Sequence, residues 1–231
     1  MPPPVPITPT ATGPARAVGI ALALSAAVAA CDRGPDPTSD VDPFIGTGAH
    51  GHVYPGATVP HGLVQLSPDN GRSGWDWVAG YHASDSVVVG FSHTHLSGTG
   101  IGDLTDILFM PGTLPPGGLT DVTGPWVDRL DRPFADRYDH DGEAAEPGYY
   151  RVRLQRSGVD VELTAGSRTG VHRYTFPDSV EAALLIDLGY AVNWDRPVAG
   201  EIRVGGDTLV AGTRASTGWA ADQRTPFAAT F

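Results

Sequence analysis

Apolar and polar residues follow short β-like patterns along most of the chain. Residues 149–154 and 160–164 alternate between apolar and polar side chains, as strands with one buried face do. Residues 87–91 are continuously apolar, which indicates a strand buried on both faces, and residues 182–188 are predicted to form another buried strand. A further strand over 171–176 ends at a proline, which cannot donate to a strand ladder.

Turn signals separate these strands. Gly205-Gly206-Asp207 predicts a hairpin between residues 202–204 and 208–210, and another strand begins at Phe227. The chain has 30 Gly and 21 Pro, which favours many turns and short strands over long helices. We therefore predict an all-β fold, an antiparallel β-sandwich, with residues 112–147 as a long surface loop.

The first thirty residues have the pattern of a targeting segment. Arg16 precedes an apolar run from Val18 to Ala30, which is too short to span a membrane. The run ends at Cys31, as in a bacterial lipobox, so we predict a lipoprotein signal peptide over 1–30 and lipidation of Cys31. An ordinary signal peptide with a nearby cysteine is the alternative.

These assignments divide the chain into three parts and give it a location. A tether over 31–41 would follow the signal peptide, and the β-sandwich domain would occupy 42–231. We expect a lipid-anchored protein of the bacterial cell envelope, with the membrane as a partner through that anchor. The net charge of −11 and a pI near 4.9 argue against nucleic acid as a partner.

A Gly-rich segment carries the first candidate binding residues. His50, Gly51 and His52 lie among several glycines, which let the backbone turn sharply or come close to a ligand. Their imidazole and backbone groups are candidate hydrogen-bonding partners for sugar hydroxyls. The alternative is a Gly-rich hairpin whose histidines face water.

A second block contains Trp75, Asp76 and Trp77. In a strand, the two indoles would share one face and the carboxylate would lie on the other. An indole can stack on the apolar face of a pyranose while polar neighbours bind its hydroxyls. Alternatively, both rings belong to the core.

A third block contains His93, His95 and Asp103. The two histidines would share a strand face and contact substrate, although their spacing also suits a metal ligand pair. Asp103 is a candidate binding residue, but a carboxylate in a Gly turn more often braces the loop. No serine-hydrolase elbow, phosphate-binding loop or dinucleotide fingerprint is present in the sequence.

Together these blocks resemble glycoside hydrolase family 92, the calcium-dependent exo-acting α-mannosidases. The resemblance runs from Asp42 to Phe231 and departs from the family pattern at Val78 and His61. It rests on the following motifs: Asp-Pro-Phe-Ile-Gly-Thr-Gly at 42–48, His-Val-Tyr-Pro-Gly-Ala-Thr-Val-Pro at 52–60, Gly-Leu-Val-Gln-Leu-Ser-Pro-Asp at 62–69, Gly-Trp-Asp-Trp at 74–77, Gly-Tyr-His at 80–82, Gly-Phe-Ser-His-Thr-His-Leu-Ser-Gly-Thr-Gly at 90–100, Glu-Pro-Gly-Tyr-Tyr at 146–150, His-Arg-Tyr-Thr-Phe at 172–176 and Thr-Gly-Trp at 217–219.

The resemblance implies an N-terminal β-sandwich followed by an (α/α)6 barrel, of which only the sandwich is in this chain. It also implies that the barrel carries the calcium site and the carboxylic acid and base of an inverting mechanism. We therefore expect a pocket domain of a lipid-anchored exo-α-mannosidase of the α-1,2 type, acting on mannose-containing glycans such as N-glycans. On this reading no catalytic residue lies in this chain, which by itself would be inactive.

Two other functions stay open from the sequence. One is a non-catalytic carbohydrate-binding lipoprotein, and the other is a structural or degenerate domain. Residues 225–231 stop within a strand pattern, so we expect the chain to be truncated at its C-terminal end. An open reading frame beyond Phe231 would favour the mannosidase, and an immediate stop codon the binding protein.

The lipobox predicts that Cys31→Ala moves the protein from the membrane fraction to the soluble fraction, because the acylated thiol is lost. Fractionation of cells that express each form, followed by immunoblotting, measures this. A conservative change in the tether, such as Ser39→Ala, should leave the protein in the membrane fraction. Membrane retention of Cys31→Ala after a salt wash would contradict the lipidation.

Overall fold

The computed structural model describes residues 36–119, 122, 124 and 128–231. The predicted signal peptide and Cys31 lie outside these residues, as does the first part of the predicted tether. Within the described ranges, no helix is long and apolar enough to cross a membrane.

The described residues form antiparallel strands and short 3-10 turns, without an α-helix. The 3-10 turns span Pro37–Asp40, Trp75–Trp77, Arg129–Asp131 and His140–Gly142. The strands are β1 (Ala57–Thr58), β2 (Gln65–Asp69), β3 (Val87–Val88), β4 (Gly90–Ser92), β5 (Leu108–Thr113), β6 (Asp136–Arg137), β7 (Glu143–Glu146), β8 (Tyr149–Arg153), β9 (Asp160–Ala165), β10 (Gly170–Thr175), β11 (Ala182–Asp187), β12 (Arg196–Gly205), β13 (Leu209–Thr217) and β14 (Gln223–Thr230).

Two of the sheets make a β-sandwich. The first has the strand order β1-β2-β4-β5-β11 and the second has the order β10-β9-β8-β7. Tyr150 and Val152 on β8 are buried, and they belong to the same core cluster as Leu66, Phe91 and Met110 of the first sheet. The alternation in 149–154 and 160–164 reflects this arrangement, since one face of each strand covers the core. The predicted all-β antiparallel sandwich is confirmed.

Two sequence expectations were wrong in detail. The apolar run 87–91 is not one strand, because β3 pairs with β6 while β4 pairs with β2 and β5. Residues 112–147 are not one long loop, because β5 extends to Thr113, β6 pairs with β3, and β7 pairs with β8 at the sandwich edge. The partners of β3, β4 and β6 are distant in sequence, so a local pattern does not reveal those pairings.

A third sheet, with the order β12-β13-β14, contains the hairpin predicted around Gly205 to Asp207. Its attachment point is Arg214 on β13, whose side chain is 1% exposed. The guanidinium pairs with the carboxylates of Asp106 and Asp195. It also donates to the carbonyls of Leu188 at 3.2 Å and Tyr190 at 2.9 Å.

The same cluster is closed by polar groups of β14. The second oxygen of Asp106 accepts from Gln223 at 2.6 Å and from Thr225 at 2.7 Å. Burial raises the pKa of Asp195, and the Arg214 guanidinium opposes that rise. A buried ion pair is stable only when each charge is compensated, so this cluster holds the third sheet in one position.

We predict that Arg214→Met lowers the free energy of unfolding by about 3–5 kcal/mol, because it leaves two buried carboxylates without their cation. Arg203→Met on the neighbouring strand is the matched control. The Arg203 side chain is 79% exposed and pairs with the exposed Glu201, so its loss should cost less than about 1 kcal/mol. Equal effects of the two substitutions in urea unfolding would show that the buried cluster is not what attaches the sheet.

Candidate functional site: an aromatic cleft

Trp75 presents an open indole at the surface. It begins the 3-10 turn Trp75–Trp77, and its side chain is 55% exposed. The His52 ring meets the indole edge-on, with ring centroids 4.6 Å apart. Gly100 packs against the ring, and a Cβ atom there would lie 2.7 Å from Trp75 Cη2. The ring is therefore held along its edge and stays half open to solvent.

Trp77 has a different environment. Its indole N–H donates to Asp85 at 3.1 Å, the Arg72 guanidinium lies 4.1 Å from its ring centroid, and the His82 ring lies at 4.8 Å. Because the segment is a 3-10 turn rather than a strand, the expectation that both indoles share one face is wrong. Trp75 is the open ring, and Trp77 packs against its neighbours.

His50 and Asp76 form a hydrogen-bonded pair at the surface. His50 Nδ1 lies 2.5 Å from Asp76 Oδ1, and the His50 side chain is 75% exposed. The hydrogen bond from His50 lowers the pKa of Asp76. These two residues therefore present polar groups in the loops that hold Trp75.

Gly51 and His52 hold the loop close to its own backbone. A Cβ atom at Gly51 would lie 2.0 Å from the Gly46 carbonyl oxygen, so only glycine fits. His52 is 8% exposed and has a positive φ of 54°. Its Nε2 atom has no hydrogen-bond partner within the described part of the chain. A buried donor or acceptor left unpaired costs free energy, so this atom lowers the stability of the loop.

His93 lies in a buried polar network away from Trp75. His93 Nδ1 contacts the Ile107 carbonyl at 2.6 Å, and its Nε2 lies 3.1 Å from His172 Nε2. The Tyr174 hydroxyl lies 2.7 Å from His172 Nδ1. Burial lowers the pKa of His93 to about 4 and that of His172 well below its usual range.

The direction of each hydrogen bond in this network follows from the carbonyl. A carbonyl only accepts, so His93 carries its proton on Nδ1 and accepts at Nε2. His172 must then donate from Nε2 and accept the Tyr174 hydroxyl proton at Nδ1. Both rings are neutral, and each ring nitrogen already takes part in a hydrogen bond. His93 therefore has no free nitrogen for a ligand or a metal ion.

His95 and Asp103 are also buried, at 4% and 2% exposure. His95 Nδ1 donates to the Gln65 carbonyl at 2.8 Å, and its Nε2 lies 3.1 Å from the Ser92 hydroxyl. One Asp103 oxygen accepts from the backbone N–H of Leu104 at 2.8 Å, and the other accepts from Ala220 at 2.6 Å. Asp103 therefore braces two loops.

Two adjoining clefts lie beside Trp75, and most of their residues were not among the sequence candidates. The first has a volume of about 310 Å³, and the second about 520 Å³. Trp194 lines both. The first cleft is also lined by Ser73, Gly74, Trp75, Val78 and Asn193. The second is also lined by Ile101, Arg196, Thr217, Gly218 and Trp219.

The Asn193 side chain joins the two loops that form the first cleft. It accepts from the Gly74 N–H at 2.9 Å and donates to the Gly74 carbonyl at 3.0 Å. The sequence signal for this loop is Trp194-Asp195, which repeats the Trp-Asp order of Trp75-Asp76. The pairing itself spans 119 positions and has no local signature.

The described residues do not offer a metal site. No group of three or more His, Cys, Asp or Glu side chains converges within the described ranges. Near the clefts, the oxygens of Asp103 and Asp106 already accept from backbone N–H groups, Arg214, Gln223 and Thr225. A calcium ion needs six to eight oxygen ligands, so these carboxylates do not fit one.

Comparisons with known proteins identify this architecture. Residues 40–231 match the model of the glycosyl hydrolase family 92 N-terminal domain. A family 92 α-mannosidase from Bacteroides thetaiotaomicron, solved in complex with mannoimidazole, is 39% identical with a TM-score of 0.76, over 84% of this chain and 25% of its own. An inverting family 92 mannosidase from B. thetaiotaomicron VPI-5482 is 26% identical with a TM-score of 0.60, over 81% of this chain and 24% of its own.

A curated relative from Arthroderma benhamiae, an uncharacterized secreted glycosidase, is 30% identical over 138 residues. The match covers 59% of this chain and 17% of that relative. This chain therefore spans about a quarter of the length of the solved relatives, and a smaller share of the curated one.

The buried histidine pair predicts a loss of stability in acid. Both folded-state pKa values lie below the unfolded value near 6.5. The unfolded chain therefore binds protons first, and stability falls as the pH drops from about 6.5 towards 4. We expect His172→Gln to reduce this loss by an amount on the order of 1–2 kcal/mol at pH 5.

The measurement is urea unfolding of both proteins at pH 7.5 and pH 5. His61→Gln, at an exposed position, is the control and should keep the wild-type pH dependence. An unchanged pH dependence in His172→Gln would show that this network does not control acid stability.

Proposed function

Because this chain belongs to glycosyl hydrolase family 92 through that family's N-terminal domain, we propose that it forms one wall of the substrate pocket of an exo-α-mannosidase. The observation that carries the proposal is the half-exposed Trp75 indole, held by His52 and Gly100 beside a cleft of about 310 Å³. Ligand sites commonly combine an apolar lining with a few placed polar groups.

The cleft suits one face of a hexose. A pyranose has an apolar face of C–H groups, which an indole can cover, and a rim of hydroxyls that need hydrogen-bond partners. Trp75 and Trp194 supply flat surfaces, while Ser73 and Asn193 are the polar residues of the lining. The exposed His50–Asp76 pair lies on the neighbouring loops. A mannoside bound here would contact the ring and the polar groups together.

The acid and base of the reaction lie, on this proposal, outside the described residues. Inverting glycosidases use two carboxyl groups about 6.5–9.5 Å apart, one protonated and one ionised. Here Asp76 pairs with His50 and its pKa is lowered, which disfavours a role as the acid. Asp103 is occupied by two backbone N–H groups. The chain alone would then bind but not hydrolyse mannosides.

The remaining parts of the proposal concern the rest of the protein. Calcium, if the enzyme uses it, would be bound by oxygen ligands outside the described residues, since the carboxylates near the cleft do not fit it. Preference for α-1,2 linkages, action on N-glycans, a lipid anchor at Cys31 and a place in the bacterial cell envelope are proposed from the sequence motifs. The mannosidase names of the solved relatives support the substrate class.

A further domain, an (α/α)6 barrel in this proposal, would cover part of the third sheet. One face of that sheet carries Ile202 at 44% and Val204 at 74% exposure, beside Val210 on the next strand. Such an apolar surface is typical of a contact with another part of a protein. This chain covers only a quarter of the length of the solved relative, which supports a further domain in contact with the third sheet.

We predict that Trp75→Ala in the intact protein weakens the interaction with a mannose disaccharide by about 1–3 kcal/mol, by analogy with base stacking on aromatic residues. Turnover of the disaccharide should fall more than turnover of a small aryl α-mannoside if Trp75 holds the sugar beyond the scissile bond. The ratio of the two kcat/KM values measures this effect.

Trp75→Phe should retain part of the preference for the disaccharide, and Val171→Ala, an exposed apolar change on β10, should retain all of it. Each variant must first melt cooperatively near the wild-type temperature. Wild-type ratios in a folded Trp75→Ala would exclude the stacking role. Binding without turnover in the intact protein would instead favour a non-catalytic carbohydrate-binding protein.

A further inference from the structure

The second cleft, of about 520 Å³, has two indoles in its lining, of which Trp219 does not line the first cleft. Trp194 is 50% exposed and Trp219 is 71% exposed. Large apolar side chains usually leave water when the fold allows it, because burying an aromatic ring is strongly favourable. Open rings that line the same cleft therefore point to a ligand.

The residues next to both indoles are held in place by contacts with buried groups. Trp194 and Arg196 flank Asp195, whose carboxylate is fixed in the ion pair with Arg214. Trp219 follows Gly218, at which a Cβ atom would lie 3.0 Å from Asp195 Cα. Ala220, on the other side of Trp219, donates its N–H to Asp103 at 2.6 Å. The loops that carry the two indoles are thus positioned before any ligand arrives.

The lining combines the groups that bind a neutral sugar. Ile101 and the two indoles provide apolar surface, while the Thr217 hydroxyl and the Arg196 guanidinium provide hydrogen-bond donors. A volume of about 520 Å³ lies within the usual range of small-molecule sites, about 300–1,000 Å³.

The two clefts share one lining residue. Trp194 lines both of them. Gly100, which packs against the Trp75 ring, directly precedes Ile101 in the lining of the second cleft. A ligand that contacts Trp194 is therefore next to the lining of both clefts.

We propose that the cleft between Trp194 and Trp219 is a second saccharide subsite, which binds a sugar unit further along the same mannose-containing oligosaccharide that contacts Trp75. This inference rests on the proposed function and adds a length preference to it. The pocket wall then recognises an oligosaccharide rather than a single terminal sugar.

The experiment measures affinities of the intact protein for thio-linked manno-oligosaccharides, which resist hydrolysis. Calorimetric titration with the disaccharide and with the trisaccharide gives the ratio of their dissociation constants. We expect the wild type to prefer the trisaccharide. Trp219→Ala should remove that preference, with a loss of roughly 5- to 150-fold for the trisaccharide and little change for the disaccharide.

Two further variants control for structure. Trp219→Phe keeps an aromatic ring and should keep part of the preference. Val171→Ala removes an exposed apolar group on β10 and should keep all of it. Because the Trp219 side chain is largely exposed, its truncation should leave the melting temperature unchanged.

The outcomes separate this inference from the proposed function. If Trp75→Ala weakens both ligands while Trp219→Ala keeps the wild-type ratio, the second subsite is wrong and the mannoside pocket stands. If Trp219→Ala removes the preference while Trp75→Ala has no effect, the second subsite stands and the role of Trp75 is wrong.

Two other results would also overturn the subsite. A melting temperature several degrees lower in Trp219→Ala, with an unchanged ratio, would identify the cleft as a contact with another part of the protein. Failure of the wild type to bind either oligosaccharide would reject both the subsite and the mannoside pocket.

Discussion

The buried pairing of Arg214 with Asp106 and Asp195 is the interaction on which the candidate site depends. Removing one charge from such a cluster leaves the others uncompensated in a medium where water cannot replace the lost partner. The cluster therefore fixes the third sheet against the loop that contains Asp106. It also fixes Asp195, whose sequence neighbours Trp194 and Arg196 line the second cleft. The position of Trp194 therefore depends on the ion pair of its neighbour Asp195.

Close packing of side chains against glycine residues also shapes the first cleft. Gly100 lets the Trp75 ring lie against the main chain, and Gly102 does the same for Asn193, whose side chain a Cβ atom there would meet at 2.6 Å. Both contacts require glycine, because a side chain at either position would clash with the residue packed against it. The glycine-rich composition of the loops thus reflects close approach within the protein as well as room for a ligand.

The parts of the fold that could be predicted from the sequence are those with a local signature. Alternation over 149–154 and 160–164 predicts two strands because each half-buried strand shows its two faces in consecutive residues. The hairpin around Gly205 to Asp207 is predictable for a similar reason. The division of residues 87–91 between two sheets is not, because each sheet takes its partner from elsewhere in the chain. The same holds for the site: Trp75 stands out by its neighbours, whereas Asn193 and Arg214 act across 119 and 108 positions.

The charged groups around the clefts serve mainly to hold the loops that line them. The carboxylates of Asp103, Asp106 and Asp195 mostly bind groups within the protein, and these interactions hold the loops in place. The groups left open are indole rings, with a few polar groups beside them. Rigid rings on braced loops lose little freedom when a ligand binds, so preorganisation of this kind favours affinity and selection of ligand shape over proton transfer. A wall with these properties suits the proposed recognition of an extended sugar chain better than it suits proton transfer.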